Sequence, residues 1–280
     1  MHGKSKRDRI ELGAGTSRLD NVRIVLSHTS HPGNIGAAAR AMKTMGLSVL
    51  WLVAPKRFPD RDAIAMASGA VDVFCNARLV SSVGAALAGT ITAYALTARP
   101  REIGPIVLSP RDAAREAIEA AASGPVAFVF GNEESGLRND EILRCQRIVE
   151  IPANPVYSSL NVAAAVQVIT YELRLASEGV GGASGRARAG IPDKFAPGTF
   201  EELEGLYGHF ERALGDSGFL DRSNPRKLME RLRRLCGRAN LEREEINILR
   251  GLLNNLEAHA ARSGLRIRGK PDDAATVDTD

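Results

Sequence analysis

The sequence predicts an α/β fold in which helices flank a parallel β-sheet, followed by a small all-helical C-terminal domain. From Val22 onward, short apolar runs rich in β-branched residues alternate with alanine-rich helical stretches, which is typical of buried parallel strands covered by helices. At 280 residues and 44% hydrophobic, the chain is long enough for a large core, and its length favours two domains.

Five apolar runs predict the strands of this sheet. Several of them end in Gly, Pro, Ser or Asn, as strands that lead into loops often do. Because ligands of parallel sheets bind beyond the carboxyl ends of the strands, we expect the functional site at that edge. The predicted strands are residues 22–26, 49–53, 92–96, 126–130 and 148–151.

Four helices are predicted between or after these strands. Gly46 follows the first helix at the position where glycine commonly ends one. Asn34 is suited to cap the first helix and Ser159 the last, since their side chains accept hydrogen bonds from free backbone amides. The predicted helices are residues 35–45, 111–122, 140–145 and 160–176.

A domain boundary is predicted at residues 177–197, which are rich in Gly, Ala, Ser, Arg and Pro. This segment cannot bury enough apolar surface to order itself, so we expect a flexible linker. The first domain spans residues 21–176, after a leader of residues 1–20 that we expect to be disordered. The helical extension spans residues 198–263, and the polar residues 264–280 predict a disordered tail.

Three helices are predicted in the extension, at residues 200–214, 225–235 and 241–260. Asn224 and Pro225 are suited to the N-cap and first position of the second helix, and Asn240 to the N-cap of the third. Basic residues recur around the second helix, where they either bind phosphates of RNA or form an ordinary solvated face. They are Arg226, Lys227, Arg231, Arg233, Arg234, Arg238, Arg243 and Arg250.

Charge and cysteine content narrow the function classes. The net charge of +4 permits a polyanionic partner without requiring one. Cys75, Cys145 and Cys236 are widely spaced with no CxxC pair, which predicts neither a disulfide framework nor a zinc site and fits a reducing cytoplasm. No apolar run approaches the ~20 residues of a membrane helix, and the N-terminus lacks the apolar segment of a signal peptide, so we expect no membrane association.

The first candidate motif follows the first predicted strand and runs into the first helix, at residues 30–43. Gly33 and Gly36 allow close backbone approach, and Asn34 supplies a polar side chain. Arg40, further inside the helix, can reach back toward an anion near the helix start. Taken alone, the pattern is equally that of an ordinary α/β protein with a solvated arginine.

The second motif, residues 128–137, is a buried strand ending in an acidic loop. Gly131 and Gly136 permit backbone conformations that are closed to other residues. Glu133 and Glu134 do not fit a glycosidase pair, because adjacent residues on a tight loop diverge, whereas such a pair lies ~5–9.5 Å apart across a sugar.

The third motif, residues 151–162, is another strand exit that leads into a helix. Ser159 lies just before the predicted helix, and Asn161 lies in its first turn. Taken alone, they are most simply read as helix-capping residues.

Together and in this order, the three stretches resemble the signature motifs of the SpoU (TrmH) branch of the SPOUT superfamily of RNA 2′-O-ribose methyltransferases. They read Asn-x-Gly-x-x-x-Arg from Asn34, Phe-Gly-Asn-Glu-x-x-Gly-Leu from Phe130, and Ser-Ser-Leu-Asn-Val from Ser158. The resemblance covers roughly residues 22–176. The phrasing around the motifs and the helical extension are similar to the TrmJ-type tRNA enzymes in particular.

The resemblance implies an α/β domain with a C-terminal trefoil knot, S-adenosyl-L-methionine bound in a bent conformation in the knot, and a homodimer whose partner completes each site. No metal is implied. Backbone groups at the strand exits would hold most of the adenosine. The implied cofactor contacts are Leu96, Thr97, Ala98, Gly131, Ile151, Ser158, Ser159 and Leu160.

The implied reaction transfers the sulfonium methyl group to a ribose 2′-oxygen, with Arg40 as the candidate activator. Because its guanidinium stays protonated at neutral pH, Arg40 is better suited to orienting an RNA phosphate and stabilising the developing alkoxide than to acting as a base. A phosphate oxygen or water could take the proton. Asn34 and Ser159 are then positioning groups, Glu133 a partner of Arg40, and Asn161 a support for the knot loop.

The substrate implied by the TrmJ-type resemblance is tRNA, with a cytidine or uridine ribose in the anticodon loop as the target and rRNA as the alternative. One departure weakens this choice. Where an arginine is expected in the acidic loop, residues 132–135 read Asn-Glu-Glu-Ser, which is closer to the general SpoU pattern.

Two other function classes compete with this interpretation. A nonenzymatic RNA-binding module is suggested by the Gly-x-x-Gly loop from Gly33, which mimics KH domains, but the later motifs argue against it. A dinucleotide oxidoreductase lacks support because no G-x-G-x-x-G follows the first strand. His28 and His31 have no nearby third ligand, so local hydrogen bonding is expected for both rather than metal binding.

Overall fold

The computed structural model describes residues 17–99, 104–181 and 192–263. Its centre is a sheet of seven parallel strands in the order β3-β2-β1-β6-β4-β7-β5. β7 is the last strand in the chain and lies between β4 and β5, which both precede it. The strands are β1 (Val22–Ser27), β2 (Val49–Val53), β3 (Arg78–Val80), β4 (Thr92–Leu96), β5 (Ile106–Leu108), β6 (Val126–Phe130) and β7 (Arg147–Val149).

Seven helices follow or connect the strands of the described first domain. One of them has an ordinary start signal: Pro110 stands in its first turn, and Ser109 caps it by accepting a hydrogen bond from Asp112 N–H. They are α1 (Pro32–Thr44), α2 (Arg61–Ala67), α3 (Val71–Cys75), α4 (Val83–Leu87), α5 (Pro110–Ala120), α6 (Asn139–Ile142) and α7 (Val162–Gly181).

The core lies on both faces of the sheet, which explains why the strands read as continuous apolar runs. Ile24 and Phe128 point to the face covered by α1, α5 and α7. Val25 and Val129, one residue further along their strands, point to the opposite face, where α4 and Trp51 lie. This alternation confirms the predicted α/β class.

The sheet edges differ from the prediction. β3 and β5 have three residues each and were not predicted, and Leu79 and Val107 within them are each 54% exposed. Such short, half-exposed strands lack the apolar run that identified the central ones. The last predicted strand also ends at Val149 rather than Ile151, and the short helices α2, α3 and α4 were missed.

Two predicted caps in the first domain are wrong. α1 begins two residues earlier than Asn34, which places this side chain inside the helix and frees it for other contacts. α7 begins later than expected, and Asn161 rather than Ser159 caps it. The Asn161 Oδ1 accepts hydrogen bonds of 2.9 and 3.4 Å from backbone amides in the first turn.

The extension contains the three predicted helices, α8 (Phe200–Asp216), α9 (Leu228–Ala239) and α10 (Arg243–Ser263). α9 starts after the predicted Asn224–Pro225 cap, because Arg226 and Lys227 have positive φ values of 44° and 58°, outside the helical region. Asn240 does not open α10. At φ 50° it ends α9 instead.

Two predicted flexible segments are partly ordered. Arg18–Asn21 forms a 3₁₀ turn capped by Ser17, whereas residues 1–16 of the predicted leader lie outside the described residues. α7 continues to Gly181, into the predicted linker, and Asp193–Phe195 forms a further turn. Residues 182–191 of that linker and the predicted tail, 264–280, also lie outside the described residues.

The extension has its own small core and packs on the first domain. Leu206, Tyr207, Ile246 and Leu253 form this core between α8 and α10. Phe200, at the start of α8, is 8% exposed and joins the core of the sheet instead. None of the helices in the described part of the chain combines the length and apolar content needed to cross a bilayer.

α1 packs closely on α2 at Gly36. A Cβ at this position would lie 1.9 Å from the backbone oxygen of Ala63, and backbone cannot move aside as a flexible side chain can. We therefore expect Gly36→Ala to lower the free energy of unfolding by about 1–3 kcal/mol or more. Chemical denaturation measures this, with Gly69→Ala, which has nothing within 4 Å, as the control. Equal effects of the two substitutions would contradict the close contact.

Candidate active site

A cavity of about 310 Å³ opens beyond the carboxyl ends of β4, β6 and β7. This size and position are usual for small-molecule sites of parallel sheets. Three segments form its walls: the exit of β4, the acidic loop after β6, and the segment between β7 and α7. The lining residues are Leu96, Thr97, Ala98, Arg99, Phe130, Gly131, Asn132, Glu133, Glu134, Gly136, Val149, Ile151, Ser158, Ser159, Leu160, Val162 and Ala165.

The cavity brings together every residue that the family resemblance assigned to the cofactor, from Leu96 to Leu160. Of the residues assigned to catalysis, Glu133 and Ser159 also line it, whereas Asn34, Asn161 and Arg40 do not. The structure thus places the residues assigned to the cofactor in one region. The roles of all the assigned residues stay predictions.

The walls combine apolar side chains with polar ones. Leu96, Ile151 and Leu160 supply apolar side chains, and the hydroxyls of Ser158 and Ser159 are exposed. At the base, Thr97 N–H donates to the Val149 carbonyl at 3.2 Å, which ties the exit of β4 to that of β7. An uncharged ring with polar edges fits such a lining.

Gly131 allows the acidic loop to fold back on itself. A Cβ at Gly131 would lie 2.2 Å from backbone atoms of both Gly136 and Leu137, so no other residue fits there without moving the loop. Gly136 has φ 68°, a conformation that favours glycine. The predicted need for glycine at these two positions therefore has a physical cause.

Asn132 anchors the acidic loop, a role that the sequence did not reveal. Its Nδ2 donates to the His28 carbonyl at 2.7 Å, and its Oδ1 accepts from Glu134 N–H at 2.8 Å. His28 in turn has φ 53° directly after β1, and its backbone N–H donates to the Val53 carbonyl. The loop is thereby fixed to the strand exit beside it.

The Glu133 carboxylate is held by four donors from the first motif. Ser30 donates from its backbone N–H at 2.9 Å and from its Oγ at 2.8 Å, Asn34 from its Nδ2 at 2.8 Å, and His31 from its backbone N–H at 3.3 Å. Partial burial raises the pKa of this carboxyl, but the hydrogen bonds from Ser30 and Asn34 outweigh it and lower the pKa to about 2. Glu133 is therefore a fixed negative charge on the cavity wall.

Asn34 connects all three motifs. While its Nδ2 donates to Glu133, its Oδ1 accepts a hydrogen bond of 2.9 Å from the Nδ2 of Asn161. Asn161 also caps α7. One amide side chain thus joins α1, the acidic loop and the start of α7.

Arg40 lies apart from this network. It is exposed on α1, six residues beyond Asn34, which corresponds to about 9 Å along the helix axis. The expected pairing of Glu133 with Arg40 is wrong for a single chain, because Ser30, His31 and Asn34 already occupy the carboxylate. The guanidinium of Arg40 remains available to groups outside the described chain.

A buried carboxylate, that of Glu141, also supports the exit of β1. Glu141 is 2% exposed and accepts a hydrogen bond of 2.6 Å from Ser27 Oγ at the end of β1. His28 Nε2 lies 3.8 Å from the same carboxylate. This separation is too long for a hydrogen bond, so the local hydrogen bonding expected of the His28 side chain stays a prediction. The described residues contain no cluster of His, Cys, Asp or Glu suited to a metal.

The basic residues of the extension divide into two groups. Arg233 is ion-paired with Glu204 and lies 4.3 Å over the Tyr207 ring, so it serves the extension's own packing. Arg231 and Arg238 on α9 are exposed and two turns apart, on one side of the helix. This exposed side is the basic face of α9.

Two parts of the sequence match known families. Residues 21–171 match the SpoU rRNA Methylase family, and residues 201–265 match the C-terminal domain of the tRNA methyltransferase TrmJ. The first match covers the sheet and the cavity, and the second covers the helical extension.

Curated relatives match over nearly the whole chain. The tRNA (cytidine/uridine/adenosine-2′-O-)-methyltransferase TrmJ of Pseudomonas aeruginosa is 47% identical over 266 residues, covering 91% of this chain and 100% of that protein. The tRNA (cytidine/uridine-2′-O-)-methyltransferase TrmJ of Salmonella typhimurium is 47% identical over 242 residues, covering 85% of this chain and 97% of that protein.

Solved structures share the architecture. The crystal structure of TrmJ from Z. mobilis ZM4 has a TM-score of 0.70 and 34% sequence identity, covering 84% of this chain and 98% of that one. A probable methylase family protein from Haemophilus influenzae Rd KW20 has a TM-score of 0.56 and 39% identity, covering 88% of this chain and 99% of that one.

Replacing Glu133 tests the carboxylate network. Since the folded-state pKa of about 2 lies below the ordinary value of 4.5, the charge stabilises the fold above pH 4.5, and this contribution is lost as the pH falls toward 2. Glu133→Gln replaces the carboxylate that accepts from Ser30 with a neutral amide. We expect it to lower the free energy of unfolding at pH 7 by only about 1 kcal/mol, because solvent screens the charge of this half-exposed group.

Denaturant unfolding between pH 7 and pH 2 measures the difference between the native protein and Glu133→Gln. We expect the difference to shrink below pH 4.5. Glu134→Gln, which alters the exposed neighbouring carboxylate, is the control and should show little difference at any pH. A stability difference between the two proteins that does not vary with pH would argue against an ionised, hydrogen-bonded Glu133.

Proposed function

Because the chain belongs to the SpoU rRNA methylase family, we propose that it transfers a methyl group from S-adenosyl-L-methionine to a ribose 2′-hydroxyl of RNA. The extension belongs to the TrmJ type, so the RNA is tRNA, and the named relatives act on cytidine and uridine. We place the target in the anticodon loop. A tRNA substrate and three unpaired cysteines both fit a cytoplasmic enzyme.

The observation that carries this proposal is one cavity lined by the second and third motifs, with the first motif hydrogen-bonded to its wall through Glu133. The chemistry of the lining fits the cofactor: apolar walls at Ile151 and Leu160 suit the faces of an adenine ring, and strand-exit backbone groups suit its polar edge. When bound, S-adenosyl-L-methionine supplies an electrophilic methyl group on a positively charged sulfur. The carboxylates of Glu133 and Glu134 on the wall attract positive charge.

The 2′-hydroxyl needs to be positioned, polarised and kept from competing water. The exposed hydroxyl of Ser159 on the cavity wall is placed to position it. Asn34 acts differently from our expectation, because both ends of its amide are engaged by Glu133 and Asn161. It holds the wall in shape rather than contacting the ribose.

The proton of the hydroxyl does not go to Glu133. A carboxyl whose pKa is about 2 holds its charge too firmly to take a proton near neutral pH. A phosphate oxygen of the RNA or a water molecule is the acceptor. Arg40 then serves by orienting the phosphate and by stabilising the negative charge that develops on the oxygen.

A homodimer explains how Arg40 reaches a cavity that it does not line in its own chain. In this arrangement, a second copy supplies Arg40 to the site. Exposed apolar side chains near the cavity mouth support such a partner, since Val156 is 93% exposed and Tyr157 78%. Tyr171 and Leu175 on α7 are also exposed, at 48% and 41%.

The extension distinguishes this proposal from its competitors. Its basic face, Arg231 and Arg238, is suited to phosphates of any RNA, and its match to the C-terminal domain of the tRNA methyltransferase TrmJ supports tRNA as the substrate rather than rRNA. A nonenzymatic RNA-binding module would not need a small-molecule cavity lined by the second and third motifs.

Methyl transfer from tritiated S-adenosyl-L-methionine to unmodified tRNA and to rRNA tests the proposal. We expect label on a ribose 2′-oxygen of tRNA after digestion to nucleosides. Arg40→Ala should lower kcat/KM by about 100-fold or more, because it removes charge stabilisation that is strongest in the transition state. Arg115→Ala, which removes an exposed arginine of α5, is the matched control. RNA binding without methyl transfer to either RNA would favour the nonenzymatic alternative.

The basic face of α9 is tested by its salt dependence. If Arg231 and Arg238 each contact a phosphate, the double substitution to alanine should weaken tRNA binding and lower the slope of log Kd against log salt by about 1–2. Filter binding at several salt concentrations measures this. Arg212→Ala on α8 is the control, and an unchanged slope in the double variant would show that the face is merely solvated.

A further inference from the structure

The two domains meet at a buried arginine outside the cavity. Arg147 opens β7 and is 4% exposed, which makes it the one arginine or lysine fully buried in the described parts of the chain. Arginine is rarely buried unless its charge is paired and its donors are used. The groups that contact Arg147 therefore show what its burial contributes to the structure.

The guanidinium bonds to both domains at once. On its own side, its Nε lies 2.9 Å from the Glu116 carboxylate of α5. On the side of the extension, Nη1 donates to the Gly237 carbonyl at 2.6 Å and Nη2 donates to Asn240 Oδ1 at 2.8 Å. The planar fork of arginine matches these separate acceptors, whereas lysine offers a single point of charge.

The contact on the extension is the end of α9. Gly237 lies in its last turn, where carbonyls lack partners within the helix and the helix dipole is negative. Asn240 ends the helix in the left-handed conformation, which brings its side chain back to Arg147. Arg147 therefore fixes both the position of this helix end and the direction in which α9 leaves the first domain.

Other contacts between the domains are more exposed or made by backbone. Phe200 N–H donates to the Thr90 carbonyl at 2.8 Å, at the start of α8. Arg144 lies 3.7 Å from Glu204, and its side chain is 40% exposed. α9 itself makes neither contact, and it is linked to the second one only through Glu204, which is also ion-paired with Arg233. Of these contacts, Arg147 is the one that holds the helix carrying the basic face.

We infer that Arg147 is a positioning residue for the tRNA substrate, an inference that rests on the proposed function. It holds the basic face of α9 in a fixed orientation to the cavity. β7 links the two ends of this arrangement: Arg147 stands at its start, and Ile151 of the cavity wall lies two residues beyond its end, within about 13 Å of extended chain from Arg147. Loss of Arg147 frees α9 to take other orientations, so that tRNA bound there presents its ribose less often to the cavity.

The orientation is measured first without RNA. Cys75 is exposed in the first domain, whereas Cys145 and Cys236 are buried, so Cys75 and an added Leu235→Cys on α9, whose native side chain is 53% exposed, take spin labels. In otherwise native protein, we expect one narrow distance distribution between the labels. Arg147→Ala should broaden it, and Arg147→Lys should do so partly. An unchanged distribution in Arg147→Ala overturns the inference, whether or not the protein methylates RNA.

The catalytic consequence is measured separately. For Arg147→Ala, we expect KM for tRNA to rise about tenfold or more, while kcat and the Kd for S-adenosyl-L-methionine stay within about twofold, since the cavity itself is untouched. Arg144→Ala, the more exposed contact between the domains, is the matched control and should leave KM unchanged. Weakened cofactor binding, or a fall in kcat alone, would show that Arg147 merely supports the catalytic domain and would overturn the inference.

Asn240→Ala provides an independent variant, because it removes one partner of Arg147 at an exposed position. It should raise KM and broaden the distances in the same direction as Arg147→Ala, and it carries the test if Arg147→Ala does not fold. In a double-mutant cycle, the two substitutions should be less than additive. Full additivity would mean that the Arg147–Asn240 contact does not position α9.

Discussion

The carboxylate of Glu133 is where the separate parts of the catalytic domain are joined. A parallel sheet brings its strand exits to one edge, but it does not by itself fix the loops that leave that edge. Four hydrogen bonds from residues of the first motif converge on this carboxylate, and Asn34 extends the connection to the helix that follows the third motif. The cavity lies between the segments that these bonds hold, so its shape depends on one ionised group.

Two kinds of constraint therefore act on the site. Glycines at the tightest points of the fold allow backbone to touch backbone, as between Gly131 and the end of its own loop. Polar side chains then hold the loops that the glycines allow. The cavity lining combines apolar side chains such as Leu96, Ile151 and Leu160 with the carboxylates of Glu133 and Glu134, so a ligand is recognised by both shape and charge.

The sequence predicted the central strands and the α/β class because their apolar runs are long and fully buried. It did not predict β3 and β5, whose three residues are half exposed and carry no such run. The helix caps failed for a related reason. An asparagine near the start of a helix either caps that helix or contacts another loop. Only the tertiary structure decides between these two roles, as Asn34 shows. The pairing of Glu133 with Arg40 is not made within one chain, where nearer donors from Ser30 and Asn34 bond the carboxylate, and a pairing with Arg40 of a second copy stays a prediction. The trefoil knot stays a prediction from the family.

The order of the strands also constrains how the chain assembles. β5 pairs with β7 and with no other strand of the described chain, while β7 is made last and has to enter between β4 and β5. Until then, β5 has no neighbouring strand. β1 pairs with β2 nearby, but its second neighbour, β6, comes from far along the chain. Such non-local pairings slow folding, because loop-closure entropy is lost before the contacts that compensate for it form. During synthesis, the sheet is therefore completed only after most of the first domain has left the ribosome, and α9 docks on Arg147 as one of the last steps.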